Sequence, residues 1–324
     1  MKTLLIIVLL LLAIAGLVIF RFTRRNNTEV SSGGMNSATA KTSSGPTPAQ
    51  DAQLSATLEK LCATSGGKVS VAVVHIETGK LAAVDGANEL PLFSVFKLPL
   101  AIAVLKGVED GRLKLEQKVH IGPDELVVGS RTNSQRWQQP VDLTIKQLLE
   151  LSIIESDNTS SEKLLQLAGG PSAVTELMRT LEIAQINIRT TIKDYVATHS
   201  NPNTGSALGI VKLLSRLQRG ELLQPARSEL LIGMMERAKT GLHRLRGNLP
   251  AGIIVADKTG SGDPNPKTNA AISTNDVGLI TLPNGRGQLA IAVLLNESTQ
   301  SDAQQEKLIA DLARAAFDAY SSDH

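Results

Sequence analysis

A single cysteine, Cys62, stands in 324 residues, which excludes an internal disulfide and any zinc site built on cysteines. Cys62 itself reads as a small apolar core residue. Aromatics are nearly as scarce. One Trp, two Tyr and five Phe make up 2% of the chain, so the core must be built from Leu, Ile, Val and Ala. Charge of one sign is missing too: 33 basic and 31 acidic residues leave a formal charge of +2. With no Lys/Arg-rich block interleaved with aromatics, nucleic-acid binding has no support. No internal repeat is visible. What is present is ordinary globular composition, 42% hydrophobic and 20% charged, in a chain long enough to bury a full core.

One long apolar run breaks that picture. Leu4 to Phe20 is uninterrupted and is followed by Arg21, Arg24 and Arg25. Its length is near the lower end of what spans a bilayer. Ala13-Ile14-Ala15 offers a small-residue cleavage site, but apolar residues continue beyond it, which favours an uncleaved anchor. Residues 1–25 are therefore expected to be a signal or membrane anchor that places the protein on the periplasmic or other extracytoplasmic face. The arginines pull the other way by the positive-inside tendency, a bias that a long downstream domain can override. Residues 26–48, rich in Ser, Thr, Asn, Gly and Pro without apolar period, read as a flexible linker.

The remaining 49–324 reads as one domain. A helix is expected over 49–63, stopped by Gly66-Gly67, then a strand hairpin over 68–76 and 80–85. Helical patterns follow over 94–109, 144–155, 158–167, 172–181, 206–218 and 225–237. Strands are expected over 251–259, 274–282 and 288–296, and a last amphipathic helix over 302–320. Early and late strands can meet in one five-stranded antiparallel sheet flanked by the terminal helices. The block of helices forms a second lobe, giving an α+β fold.

Chemistry enters at Ser94-Val95-Phe96-Lys97, at the start of an apolar helical pattern. A serine there meets unpaired backbone N–H groups and the positive end of the helix dipole, and Lys97 lies about one turn away on the same face. A lysine in apolar surroundings loses its proton readily and can take one from a neighbouring hydroxyl. By itself the pattern is weak. Serine at a helix start is usually only a cap, and Ser-x-x-Lys recurs at Ser65 to Lys68 and Ser160 to Lys163.

Two further clusters strengthen it. Ser156-Asp157-Asn158 separates two helical patterns: such residues would cap helices in any protein, but Ser156 could also pass a proton to a leaving nitrogen, Asn158 could hold a substrate amide and the Lys97 ammonium, and Asp157 would brace the loop. Asp257-Lys258-Thr259-Gly260-Ser261-Gly262 ends a strand run. Its edge N–H, with that of Ser94, could form an oxyanion hole while Lys258, Thr259 and Ser261 take a carboxylate. A second Lys-Thr-Gly, at Lys239-Thr240-Gly241, has no strand before it and is read as incidental.

Together, Ser94-x-x-Lys97, Ser156-Asp157-Asn158 and Lys258-Thr259-Gly260 resemble the signature set of class A serine β-lactamases and their penicillin-binding relatives. Phe93, Leu249-Pro250-Ala251-Gly252 and Thr274-Asn275-Asp276 add family-like surroundings over residues 50–320. The resemblance implies a β-lactamase/transpeptidase-like fold with the site between its lobes. It implies that Ser94 attacks a lactam carbonyl, Lys97 assists, Ser156 relays a proton to the ring nitrogen, and water releases the acyl group, with no metal or organic cofactor. Arg244, in Gly241-Leu242-His243-Arg244-Leu245-Arg246, corresponds to an arginine with which some class A members reach the substrate carboxylate. The expected partner is a small-molecule β-lactam or a cell-wall peptide, and the expected state is a monomer.

One segment departs from the family. Class A enzymes carry a Glu-x-x-Leu-Asn loop whose glutamate activates the deacylating water, yet residues 185–204 contain neither glutamate nor Leu-Asn. If Arg189 matches the arginine that anchors this loop, Thr191 stands where the glutamate belongs and Asn203 where an acidic partner belongs. Asp194, the only acid in the segment, is the expected substitute base, with His199 second. The readings in competition are a divergent β-lactamase, a penicillin-binding type of protein that acylates but deacylates poorly, and a β-lactam-sensing domain.

Overall fold

The segment Val69-Ser70-Val71-Ala72-Val73 is buried throughout, as a strand covered on both faces must be. It lies in β1 (Lys68–His75), and the computed structural model describes the chain over residues 49–127, 136–263 and 271–321. The expected anchor and linker fall outside the described residues. Among those described, no helix is long and apolar enough to cross a membrane.

Five strands form the main sheet: β1, β2 (Leu81–Val84), β8 (Val255–Ser261), β9 (Ala271–Thr281) and β10 (Gln288–Ser298). Their order is β2-β1-β10-β9-β8, with every neighbouring pair antiparallel. Alternation along each strand sends its side chains into two different cores. Val71 and Val73 of β1, with Ile291, Val293 and Leu295 of β10, meet the terminal helices α1 (Ala52–Cys62) and α9 (Asp302–Ser321), where Cys62 is also buried. Ala72, Ala290, Ala292 and Leu294 face the helical lobe. The two-sided burial explains the nearly unbroken apolar runs.

The helical lobe contains α2 (Lys97–Glu109), α3 (Ile145–Ile154), α4 (Asn158–Leu167), α5 (Pro171–Thr180), α6 (Ile192–Thr198), α7 (Ala207–Gln218) and α8 (Pro225–Glu236). Almost every side chain of the first three turns of α2 is buried, so its hydrophobic pattern runs all round the helix rather than along one stripe. Short pairings frame this lobe: β3 (Glu89–Pro91) with β7 (Thr204–Ser206), β7 with β6 (Ile186–Asn187), and β4 (Lys118–Ile121) with β5 (Val141–Thr144).

Two expectations need correction. Ser94 is not at the start of an α-helix but inside a 3-10 turn, Phe93–Phe96, and α2 begins at Lys97. The strand expected over 251–259 lies further along: β8 begins at Val255 and runs through Lys258, Thr259 and Gly260 to Ser261. Gly260 is no turn residue. A Cβ there would come to 2.3 Å from the Leu92 carbonyl oxygen and 3.1 Å from the Val95 nitrogen, so the bare glycine lets β8 lie directly against the turn that carries Ser94.

Candidate active site

Phe93 holds a left-handed backbone, φ +45°, immediately before Ser94. Such a conformation is unfavourable for a bulky residue and persists only where its surroundings impose it. Here Asn275 donates from Nδ2 to the Pro91 and Leu92 carbonyls at 2.9 and 3.2 Å, and β8 backs the turn. Below it, Lys97 is fully buried. Its Nζ donates to the Ser156 carbonyl at 2.7 Å and to Asn158 Oδ1 at 2.8 Å, and approaches Ser156 Oγ at 3.3 Å. Burial first, and then the charge of Lys258, push its pKa well below the ordinary lysine value, with Asp157 opposing.

Ser156 is also left-handed, φ +58°. That kink turns both its carbonyl and its hydroxyl toward Lys97. Asp157 braces the loop as expected: it is buried and caps α4 by accepting from the Ser160 N–H at 2.6 Å and from Trp137 Nε1 at 3.3 Å. From the opposite side, Lys258 Nζ donates to Ser156 Oγ at 3.0 Å and to the Thr259 carbonyl at 2.9 Å. One hydroxyl therefore joins two buried lysines. Burial lowers the pKa of Lys258 to about 8, with Asp257 and Asp276 opposing and Arg244 reinforcing the shift.

The edge of β8 supplies the other wall. Gly262 N–H donates into the sheet, to Ser273 O at 2.9 Å. Successive N–H groups of a strand point opposite ways, so that of Ser261 points off the free edge of β8, which lies against the Ser94 turn. Arg244 is buried. Its guanidinium donates to Ser261 Oγ at 2.8 Å, Asn275 O at 2.9 Å, Gly260 O at 3.3 Å and Glu306 at 3.2 Å. These use four of its five N–H groups; among the described residues, the fifth is left for a ligand.

A cavity of about 450 Å³ is bounded by Ser94, Ser156, Asn158, Thr259, Ser261 and Arg244 among others. Lys97 and Lys258 lie beneath this wall and reach it through Ser156. Three sequence-distant clusters thus meet, with Gly260 setting their spacing. The Lys-Thr-Gly at 239–241, read as incidental, meets them too. Thr240 and Gly241 line the cavity, the Thr240 and Thr259 hydroxyls are 2.6 Å apart, and a Cβ on Gly241 would come to 2.3 Å from Thr259 Cγ2.

The chain matches the model of the β-lactamase enzyme family over residues 53–320. It belongs to that family. Beta-lactamase VEB-1 of Pseudomonas aeruginosa is 30% identical over 277 residues, 84% of this chain and 92% of the relative. A β-lactamase of Chitinophaga pinensis has a solved structure at 32% identity and TM-score 0.79, covering 82% of this chain and 99% of that one. A class A β-lactamase of Bacteroides cellulosilyticus superimposes with TM-score 0.77 at 28% identity, over 84% and 98% of the two chains.

The expected substitute base is not on the wall of this β-lactamase's cavity. Asp194 is exposed, and its Oδ2 accepts a hydrogen bond from Thr191 Oγ1 at 2.8 Å. Asp194 falls in helix α6, where only loop was expected; Thr191 caps that helix and itself lines the cavity. Asn203 does not act as an acid. Buried at the neck of the loop, it accepts from the Arg189 and Thr190 N–H groups at 2.8 and 3.1 Å and donates to Thr190 O at 3.3 Å. Arg189 finds its carboxylate on β3 instead, Glu89 at 3.6 Å. Buried Glu162 ties down the start of α6 by accepting from the Ile192 N–H at 2.8 Å.

His199, Tyr195, Asp263 and Glu306 also line the cavity. Sequence reading offered only the first. Tyr195 meets Phe93 edge to face at 5.6 Å between ring centroids, bridging the loop to the Ser94 turn. Its phenol is held above its ordinary pKa by burial and by Asp263.

Proposed function

We infer that this protein is a serine β-lactamase that opens the β-lactam amide through an acyl-enzyme on Ser94, an activity that confers resistance to such antibiotics. The observation that carries the reading is the pair of buried lysines sharing Ser156 Oγ below the cavity that Ser94 lines. Burial, which holds the Lys97 pKa well below the ordinary lysine value, makes its ammonium give up a proton more readily, and the amine so formed can accept the Ser94 proton. Ser156, touching both lysines, then carries a proton to the departing ring nitrogen while the Ser94 and Ser261 N–H groups hold the developing oxyanion. Thr259, Ser261 and the remaining Arg244 N–H receive the substrate carboxylate, with the charge of buried Lys258 behind them, and Asn158 receives the side-chain amide. Water then frees the acyl group. The apolar N-terminal run supports placing the protein, anchored, on the extracytoplasmic face.

Intact mass of the protein mixed with a penicillin, followed alongside loss of the drug, tests this. A transient adduct of one drug mass with continuing consumption is expected, and both vanish in Ser94→Ala. Consumption that survives Ser94→Ala would remove Ser94 as nucleophile.

Carboxylate binding should depend on pH. Lys258 is charged below about pH 8 and loses its proton above, so the anion is held firmly on the acid side of that value and released on the alkaline side. KM for a penicillin is therefore expected to climb by about tenfold per pH unit above 8, as the charged fraction of a single group falls, until binding by the neutral form takes over. A KM flat up to pH 10 would mean that Arg244 and the hydroxyls carry the anion alone.

A further inference from the structure

Release of the acyl group needs a proton acceptor within hydrogen-bond reach of a water, and few groups on the cavity wall can serve. Of the two carboxylates on the wall, Glu306 is tied to Arg244 at 3.2 Å, and Asp263 is exposed beyond the end of β8, with no hydrogen bond or ion pair among the described residues to orient it toward a water. Tyr195 is held as the neutral phenol by burial and Asp263. His199 lies at the far end of α6 in a left-handed cap, and among the described residues no hydrogen bond fixes its tautomer. Thr191 remains, with a carboxylate directly behind its hydroxyl.

A hydroxyl has one donor and two acceptor positions. Thr191 Oγ1 gives its proton to Asp194 Oδ2 at 2.8 Å and accepts from the Asp194 N–H at 3.0 Å, which leaves one lone pair for a water. The arrangement differs from an ordinary capping box, in which the acidic side chain returns to the backbone N–H of the cap residue. Here the carboxylate binds the hydroxyl itself. Asn203, Arg189 and Glu162 hold this corner of the loop from three sides.

We propose that Thr191 is a catalytic residue for deacylation, passing the proton of the hydrolytic water to Asp194; the proposal rests on the acyl-enzyme reading above. The water oxygen forms a bond to the Ser94 ester carbon as one of its protons moves to Thr191 Oγ1 and the Thr191 proton moves to Asp194 Oδ2. The ester C–Oγ bond then breaks with its electron pair on Ser94, which takes a proton from Ser156; Lys258 replenishes Ser156. Asp194, being exposed, hands its proton to solvent, from which Lys258 is recharged. Water is the only co-reactant.

Decay of the penicillin adduct by rapid-mix intact mass, with steady-state kinetics, tests the relay in the whole domain. Asp194→Asn keeps the side-chain shape and the cap but cannot take the proton. It is expected to slow adduct loss about 10²-fold, the lower end for a general base. The lag falls on deacylation, so kcat and KM drop together while kcat/KM stays near wild type. Thr191→Val should do the same, Thr191→Ser should keep fast release, and the Val/Asn double variant should be no slower than either single one. Adduct loss at the wild-type rate in Asp194→Asn overturns the relay, as does slowing by His199→Gln alone or a wild-type adduct that never clears. No adduct at all in the wild type overturns the acyl-enzyme reading itself.

Discussion

Lys97→Met is expected to slow acylation of Ser94 about 10³-fold while leaving the melting temperature unchanged or higher. The two halves have different causes. Lys97 is the group best placed to accept the Ser94 proton, and a positioned base is worth about 10²–10⁴ in rate. Its burial opposes its charge, and an apolar side chain of similar length removes the cost of keeping that charge out of water. Methionine removes three donated contacts, leaving the Ser156 carbonyl and Asn158 Oδ1 without that partner, which offsets part of the gain. Stopped-flow acylation and thermal unfolding of the same sample check both. A Tm drop of ten degrees or more would mean that the lysine's contacts to the Ser156 loop hold the helical lobe together; an unchanged acylation rate would remove it as the base.

Gly260→Ala should damage stability and chemistry together. The added methyl would lie 2.3 Å from the Leu92 carbonyl oxygen and 3.1 Å from Val95 N. Both are backbone atoms that cannot swing aside, so β8 must move away from the nucleophile turn. Overpacking of this kind destabilises by about 1–3 kcal/mol. The same movement separates the Ser261 N–H from that of Ser94, and loss of one oxyanion donor lowers turnover about 10²–10³-fold. Gly233→Ala is the matched control. It sits in α8 with nothing within 4 Å of the added carbon, and is expected to leave kcat unchanged and raise stability slightly. Equal behaviour of the two variants would show that the close approach of β8 to the turn has no bearing on catalysis.

How much of this was legible beforehand follows from the range over which each feature is determined. The Ser94, Ser156 and Lys258 clusters could be read because each is a few residues long with a recognisable strand or helix beside it, and short apolar runs bounded by turn residues announced all five strands of the main sheet. The 3-10 turn at Ser94 could not, since Phe93 adopts its strained backbone only with β8 and Asn275 behind it. Pairings such as Leu90 with Gly205 involve two or three residues and leave no periodicity to find. Thr240 carried a visible motif, but only the fold could show that it touches Thr259. Helix α6 did have a local signal, Thr191 with Asp194 three residues on, that was read as loop chemistry rather than as a helix start. Asp194 was singled out for being an acid, whereas its distance from the wall depends on the direction of that helix.

The pairing of β1 with β10 also bears on how the molecule comes into being. Lys68 lies opposite Asn296 and His75 opposite Leu289, so the first long strand finds its central partner only when nearly the whole chain exists. At a synthesis rate of about 5–20 residues per second, Val71 and Val73 wait on the order of ten seconds or more without the neighbour that will cover them. During that interval an apolar strand is exposed, and the loop that must close is among the longest the chain allows, so such a topology folds slowly. Ser94 and Lys97 are made early. The β8 edge that completes the site arrives late, which makes reactivity toward a β-lactam a property of the finished chain and of no amino-terminal fragment.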